Sequence, residues 1–63
     1  MTLITTPNLT SPDSAYAALL AAHKGLTEAE SHALNARLVL ILMNHIGDDA
    51  TFAQALDLAR RAG

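Results

Sequence analysis

Three histidines, His23, His32 and His45, are the residues of this chain with the widest chemical range. Imidazole serves both as a metal ligand and as an acid or base near neutral pH. None of the three is paired at i, i+4 with another ligand-type residue in a motif such as HExxH. The chain contains no cysteine, which excludes cysteine-ligated zinc. His23 and His45 stand near predicted helix C-termini, where a positive charge is favourable. We therefore predict no metal site.

A second group of polar residues lies between Asn44 and Asp49, where a histidine stands beside two carboxylates. Such a set could act as a general acid and base. The simpler interpretation is structural: Gly47 forms a turn, and Asp48 or Asp49 caps the next helix. His45 would then contact the last carbonyl groups of the preceding helix. A catalytic site also needs a pocket, which a chain this short scarcely encloses. We predict no catalytic residues, no cofactor and no enzymatic activity.

The size of the chain limits how it can be stabilised. Its 63 residues suffice for one domain. A chain this short buries only about 60% of its unfolded surface, so its core is thin. Disulfides are excluded, and the aromatic residues are one tyrosine and one phenylalanine. Yet 51% of the residues are hydrophobic. This composition predicts stabilisation by close helix packing, by association, or by both.

Charge and hydropathy exclude two classes of partner. Four basic and six acidic residues give a net charge of −2. The basic residues form no stripe that could neutralise several phosphates, so no nucleic-acid partner is expected. The longest apolar run, 38–43, is six residues long, whereas a membrane span needs about 20. No basic residue precedes the first apolar stretch, unlike in a signal peptide. A cytoplasmic location is the expectation by elimination.

Local signals predict the ends of the first two helices. Ser11 suits an N-cap and Pro12 the first helical position. Gly25 supplies the left-handed residue that follows a helix end. Thr27 and Glu30 fit a capping box, the clearest start signal in the chain. The link between these helices is so short that antiparallel packing is expected.

The start of the third helix is less sharply marked. Gly47 ends the second helix, and the third opens at Asp48 or Asp49. Thr51 and Gln54 form a rival capping box two or three residues later. The third helix is therefore expected to begin at about residue 50.

The predicted architecture is all-α. An extended arm over residues 1–10 precedes one three-helix domain over 11–63, with helices at about 12–24, 28–46 and 50–62. Thr-rich sequence and Pro7 favour extended backbone in the arm, and Leu3, Ile4 and Leu9 provide apolar groups for it to bury. Helical spacing places Tyr16, Leu19, Leu20 and His23 on one face of the first helix. The inner face of the third helix is predicted to consist of Phe52, Ala55, Leu56 and Ala59.

The second half of helix two is the most informative feature of the sequence. Residues 38–43 are all apolar, and six residues span more than one helical turn. Apolar side chains therefore point in every direction around the helix. One interpretation is a central helix wrapped by its neighbours and the arm. The other, which we favour, is that one side stays uncovered until a partner binds. The candidate partner-binding residues are Arg37, Val39, Leu42, Met43 and Ile46.

The chain resembles a family of short bacterial proteins catalogued as domain of unknown function 2783. The resemblance covers about residues 6–58. Its most specific blocks are Asn-Ala-Arg-Leu-Val-Leu at 35–40 and Asn-His-Ile-Gly-Asp at 44–48, and the run Gly-Leu-Thr-Glu-Ala-Glu-Ser at 25–31 adds to it. The resemblance implies a small cytoplasmic protein encoded beside flavin-dependent monooxygenases and other aromatic-degradation enzymes. That context implies an accessory or stabilising subunit, and the family offers no active residues to carry over.

Three functions are therefore open. We favour a non-enzymatic interaction module, an accessory subunit that docks helix two onto a larger enzyme. The alternative is a self-associating protein whose partner is a second copy of the chain. A third possibility is a small ligand-binding or catalytic protein with a site formed between chains.

Overall fold

The computed structural model describes residues 2–62, which form three α-helices. Helix α1 spans Pro12–His23, α2 spans Glu28–Ile46 and α3 spans Asp49–Ala62. The predicted all-α three-helix fold is confirmed, with boundaries that differ by one residue at the end of α1 and at the start of α3. The predicted arm and domain also include residues 1 and 63, which lie outside the described part of the chain.

Helix α1 is bounded as its sequence indicates, with one difference. Pro12 is the first helical residue, but the side chain of Ser11 makes no capping bond to the helix. Its hydroxyl donates instead to Ser14 Oγ at 2.9 Å. Lys24 is the C-cap rather than the last helical residue. Gly25 follows with φ of 79°, the left-handed conformation that glycine adopts without strain.

Helix α2 begins with the predicted capping box. The Glu30 N–H donates to Thr27 Oγ1 at 3.2 Å, and the Thr27 N–H donates to Glu30 Oε1 at 2.9 Å. Hydrogen bonds that favour the charged carboxylate, first from the Thr27 backbone and then from its side chain, lower the pKa of Glu30. The box therefore satisfies two backbone donors at this end of the helix.

The turn between α2 and α3 is built by Gly47 and Asp48. Gly47 has φ of 68°, and its N–H donates to the Met43 carbonyl at 2.9 Å. Asp48 accepts from the Thr51 N–H at 3.1 Å and from the Thr51 hydroxyl. These bonds, the hydroxyl first, lower the pKa of Asp48. Asp48 is thus the cap of α3. Because α3 begins at Asp49, Thr51 lies inside the helix and is not the N-cap that the rival box with Gln54 requires.

The arm reaches α3 through its first residues. The Leu3 N–H donates to Gln54 Oε1 at 3.1 Å, and the Leu3 side chain is half-buried. Residues 2–11 contain neither helix nor strand. Ile4 and Leu9 are 60% and 63% exposed. The arm therefore buries one of the three apolar residues expected to dock.

Shortening the arm tests this contact. Deleting residues 1–9 removes the Leu3 contact and one hydrogen bond, so the free energy of unfolding should fall by about 1–2 kcal/mol. For a domain of this size, each kcal/mol lost lowers Tm by roughly 4–8 °C. Thermal melts followed by circular dichroism measure it. Leu3→Ala should reproduce most of the loss and Leu9→Ala almost none. If Leu3→Ala and Leu9→Ala melted at the same temperature, the contact of Leu3 with α3 would not be what stabilises the domain.

The packing leaves the domain without a buried apolar core. Among residues 2–62 the one buried residue is Thr51, and the apolar residues turned furthest inward are half-buried. The chain exposes 5424 Å², whereas a compact monomer of 6.6 kDa exposes about 3,900 Å². The radius of gyration is 13.2 Å, against about 10.6 Å for a compact domain of this length. The fold therefore leaves about 1,500 Å² more surface uncovered than its size requires.

The faces predicted for α1 and α3 are only partly covered. Tyr16 and Leu20 on the predicted face of α1 are more than half exposed. On the predicted inner face of α3, Phe52 and Ala55 are half-buried, but Leu56 and Ala59 are exposed. The inner position predicted for Leu56 and Ala59 is wrong for the single chain, because few residues of neighbouring helices lie close enough to cover them.

Candidate interaction surface

The predicted partner residues lie mostly on one side of α2. At about 100° per residue, Val39, Leu42, Met43 and Ile46 share one half of the helix circumference. We call these four residues the partner face. Val39 and Leu42 are 45% and 48% exposed, and Ile46 is half-buried. The partner face is thus accessible in its first two turns and covered toward the α2–α3 turn.

Arg37 does not share this face. Together with Leu40, Ile41 and Asn44 it forms a strip on the opposite side of α2, at the spacing i, i+3, i+4, i+7. We call this the open strip. Leu40 and Ile41 are 64% and 63% exposed, the highest values in the apolar half of the helix. Leu40, Ile41 and Asn44 were missed as candidate site residues. The signal for them was present, because residues 38–43 are apolar in every direction.

An apolar groove of about 580 Å³ runs between α1 and α2 along one side of the open strip. Arg37 is the one charged residue at its edge. The apolar residues that line it are Ala18, Leu19, Ala22, Leu34, Leu38 and Ile41. With one charged group and otherwise aliphatic walls, the groove is suited to apolar side chains rather than to acid–base chemistry.

A second concavity, of about 350 Å³, lies on the other side of the strip, at the turn between α2 and α3. Leu40, Asn44, Asp48 and Asp49 contribute to its wall, beside Phe52. Two carboxylates therefore stand at the C-terminal end of the open strip, whereas Arg37 stands nearer its N-terminal end. The strip is apolar at its centre and carries opposite charges toward its two ends.

His23 joins α1 to α2. Its Nδ1 lies 2.9 Å from Ser31 Oγ, and its Nε2 lies 3.1 Å from Asn35 Oδ1. An amide oxygen only accepts, so Nε2 donates to Asn35, and Nδ1 of the neutral ring accepts from the Ser31 hydroxyl. The sequence reasoning assigned His23 to the α1 terminus alone and missed this contact between helices.

A serine, a histidine and an amide in one chain of hydrogen bonds are the groups of a nucleophilic site. Here neither concavity is lined by His23, Ser31 or Asn35. Both ring nitrogens are engaged in holding two helices together. The arrangement positions α1 against the first half of α2.

The remaining sites considered for chemistry are dispersed. His32 Nε2 lies 4.0 Å from Glu28 Oε1 on an exposed surface, and His45 is exposed. Within residues 2–62 no three His, Asp or Glu side chains are grouped so that they could hold a metal ion. In the same part of the chain, no helix has the length and hydropathy needed to cross a membrane.

The fold and its surface define a small three-helix protein whose longest helix exposes the apolar side chains of residues 39–43. The chain belongs to the family described as "Protein of unknown function (DUF2783)", which it matches over residues 3–61. The family resemblance of the central sequence blocks is therefore confirmed over nearly the whole chain. No curated protein and no solved structure matches the chain.

Proposed function

We propose that this protein is a non-enzymatic interaction module that completes its packing against a protein partner, as an accessory subunit of a larger enzyme. One observation carries the proposal. The second half of α2 is apolar on all sides, and none of its apolar side chains is fully buried. Exposed apolar patches of several hundred Å² mark interaction sites in soluble proteins.

The uncovered area is of the right size for such a role. The surface in excess of a compact monomer is about 1,500 Å². A specific interface of ordinary size buries about 800 Å² on each partner. A partner of ordinary interface size on the partner face would cover about half of this excess. Burial of that area would supply the hydrophobic stabilisation that a chain of this length lacks.

The proposal includes no enzymatic activity, and the structural roles of the residues considered for chemistry support it. Asp48 caps α3, Gly47 makes the turn, and His23 links two helices. Each has a packing role that explains its residue type. The module is proposed to act in the cytoplasm.

The class of larger partner comes from the family resemblance, whose implied setting is that of flavin-dependent aromatic monooxygenases. In this proposal the partner face docks onto the enzyme, with Val39 and Leu42 as its most accessible members. Self-association is the alternative function, and the open strip on the other side of α2 favours it.

Chemical denaturation of the monomeric chain tests the proposal. Sedimentation velocity identifies the concentration at which the chain is monomeric, and urea unfolding is then followed by circular dichroism. We expect a free energy of unfolding below about 3 kcal/mol, since the single chain has little buried apolar surface. A monomer whose free energy of unfolding exceeds about 5 kcal/mol at every concentration would need no partner.

A further inference from the structure

Resting on the function proposed above, we infer that the open strip is a self-recognition surface, where α2 of a second copy packs antiparallel across Leu40 and Ile41. A second copy bound there leaves Val39 and Leu42 of the partner face free for the larger enzyme. Three features of the strip fit a second copy: the uncovered area, the position of the apolar residues, and the placement of charge.

The uncovered area suits a stable dimer. If an enzyme on the partner face covers about 800 Å² of the excess, about 700 Å² remains on each copy, and two copies would bury about 1,400 Å² together. Specific interfaces bury about 1,200–2,000 Å² in total. Chains this short commonly obtain by oligomerisation the stability that a small core cannot supply.

The apolar centre of the strip is self-complementary. In an antiparallel pair with its twofold axis between residues 40 and 41, Leu40 of each copy lies opposite Ile41 of the other. These are the most exposed apolar side chains of the helix. The grooves on either side of the strip provide space for the flanking side chains of the second copy. A twofold interface needs such a patch, because each copy presents the same residues.

The charges of the strip select the antiparallel arrangement. Arg37 is exposed and forms no ion pair within residues 2–62. In the antiparallel pair it lies opposite Asn44, and Asp48 and Asp49 line the same concavity as Asn44. Asp48 is already engaged by Thr51, so the exposed carboxylate of Asp49 beside it is the available counter-charge. A parallel pair would instead place Arg37 against Arg37.

A charge exchange between copies tests the inference. In Arg37→Glu each copy places a glutamate near Asp49 of the other, and in Asp49→Arg each places an arginine near Arg37. Because the dimer is twofold symmetric, each variant has its repulsion at two contacts. Each variant alone should therefore dimerise roughly 10- to 30-fold more weakly than the parent. An equimolar mixture restores opposite charges at both contacts, and heterodimers should dominate it. Sedimentation velocity gives the affinities, and native mass spectrometry of the mixture counts the heterodimers.

The matched control is Arg60→Glu, which makes the same charge change on the exposed last turn of α3. It should leave the dimer affinity within about twofold of the parent, as a surface charge change outside an interface does. If all three variants changed the dimer affinity equally, the assignment of the strip would be wrong. A mixture of Arg37→Glu and Asp49→Arg that showed no preference for heterodimers would overturn it as well.

The outcome also separates this inference from the proposed function. A parent chain that stays monomeric at about 1 mM, far above the concentration at which a specific dimer forms, overturns the self-recognition surface. If that monomer unfolds easily, the interaction module stands and needs another partner. If it is independently stable, both are wrong.

Discussion

Replacing Leu42 by aspartate is expected to abolish association through the partner face. Leu42 is about half exposed in the single chain, so α2 can accommodate the substitution with a small loss of helix propensity, about 0.5 kcal/mol. Once a partner covers the residue, the carboxylate is buried without a counter-charge, which costs several kcal/mol. Affinity should fall by at least about 100-fold. Sedimentation velocity of the chain with its co-expressed partner measures the effect, and Met43→Asp should behave alike.

The control for this pair is His32→Asp, three helical turns before Met43 on the same side of α2. The His32 side chain is 73% exposed, so the change should stay within about 0.5 kcal/mol. Ser31 is unsuitable as a control, because its hydroxyl bonds His23. If Leu42→Asp assembles as the parent does while its circular dichroism is unchanged, the partner face is not an interface and the open strip alone remains.

Replacing Gly47 by valine is expected to destabilise the domain more than any other substitution that acts through backbone strain. Gly47 has φ of 68°, where a β-branched residue is strained. The space around it is adequate: a Cβ would meet the Asn44 carbonyl oxygen at 3.8 Å, an ordinary contact. The loss is therefore torsional, about 1 kcal/mol for Gly47→Ala and about 2 kcal/mol or more for Gly47→Val. Relief of that strain would reorient α3 and disrupt the Asp48 cap.

Melts of four variants measure this effect. Tm should decrease in the order Gly47→Asn, Gly47→Ala, Gly47→Val, since asparagine tolerates the left-handed conformation best. Ala53→Val, at an exposed position of α3, controls for the helix propensity of valine and should cost about 0.5 kcal/mol. A Gly47→Val chain that melts with the parent would mean that α2 continues straight into α3 in solution.

The ends of the helices could be predicted from the sequence because each depends on neighbouring residues. The Thr27 and Glu30 side chains bond backbone groups three positions apart, and Gly47 reverses the chain through its own φ. Such short-range contacts form whatever the rest of the chain does. The exception was the start of α3, where Asp48 and Thr51 both offered a cap. Only the packed turn decided between them, by directing the Thr51 hydroxyl to Asp48.

Which side of α2 is uncovered was decided by the tertiary structure. Residues 38–43 are apolar in every direction, so the sequence contains no period that distinguishes an inner face from an outer one. The choice depends on where α1 and α3 lie. Those positions follow from contacts between distant residues, such as His23 with Asn35 and Leu3 with Gln54. Polar pairs of this kind form only after the helices have packed together. The residues next to either partner in the sequence give no indication of which distant residue it will bond. The sequence by itself therefore determined the three helices, whereas their packing determined that Leu40 and Ile41 stay open.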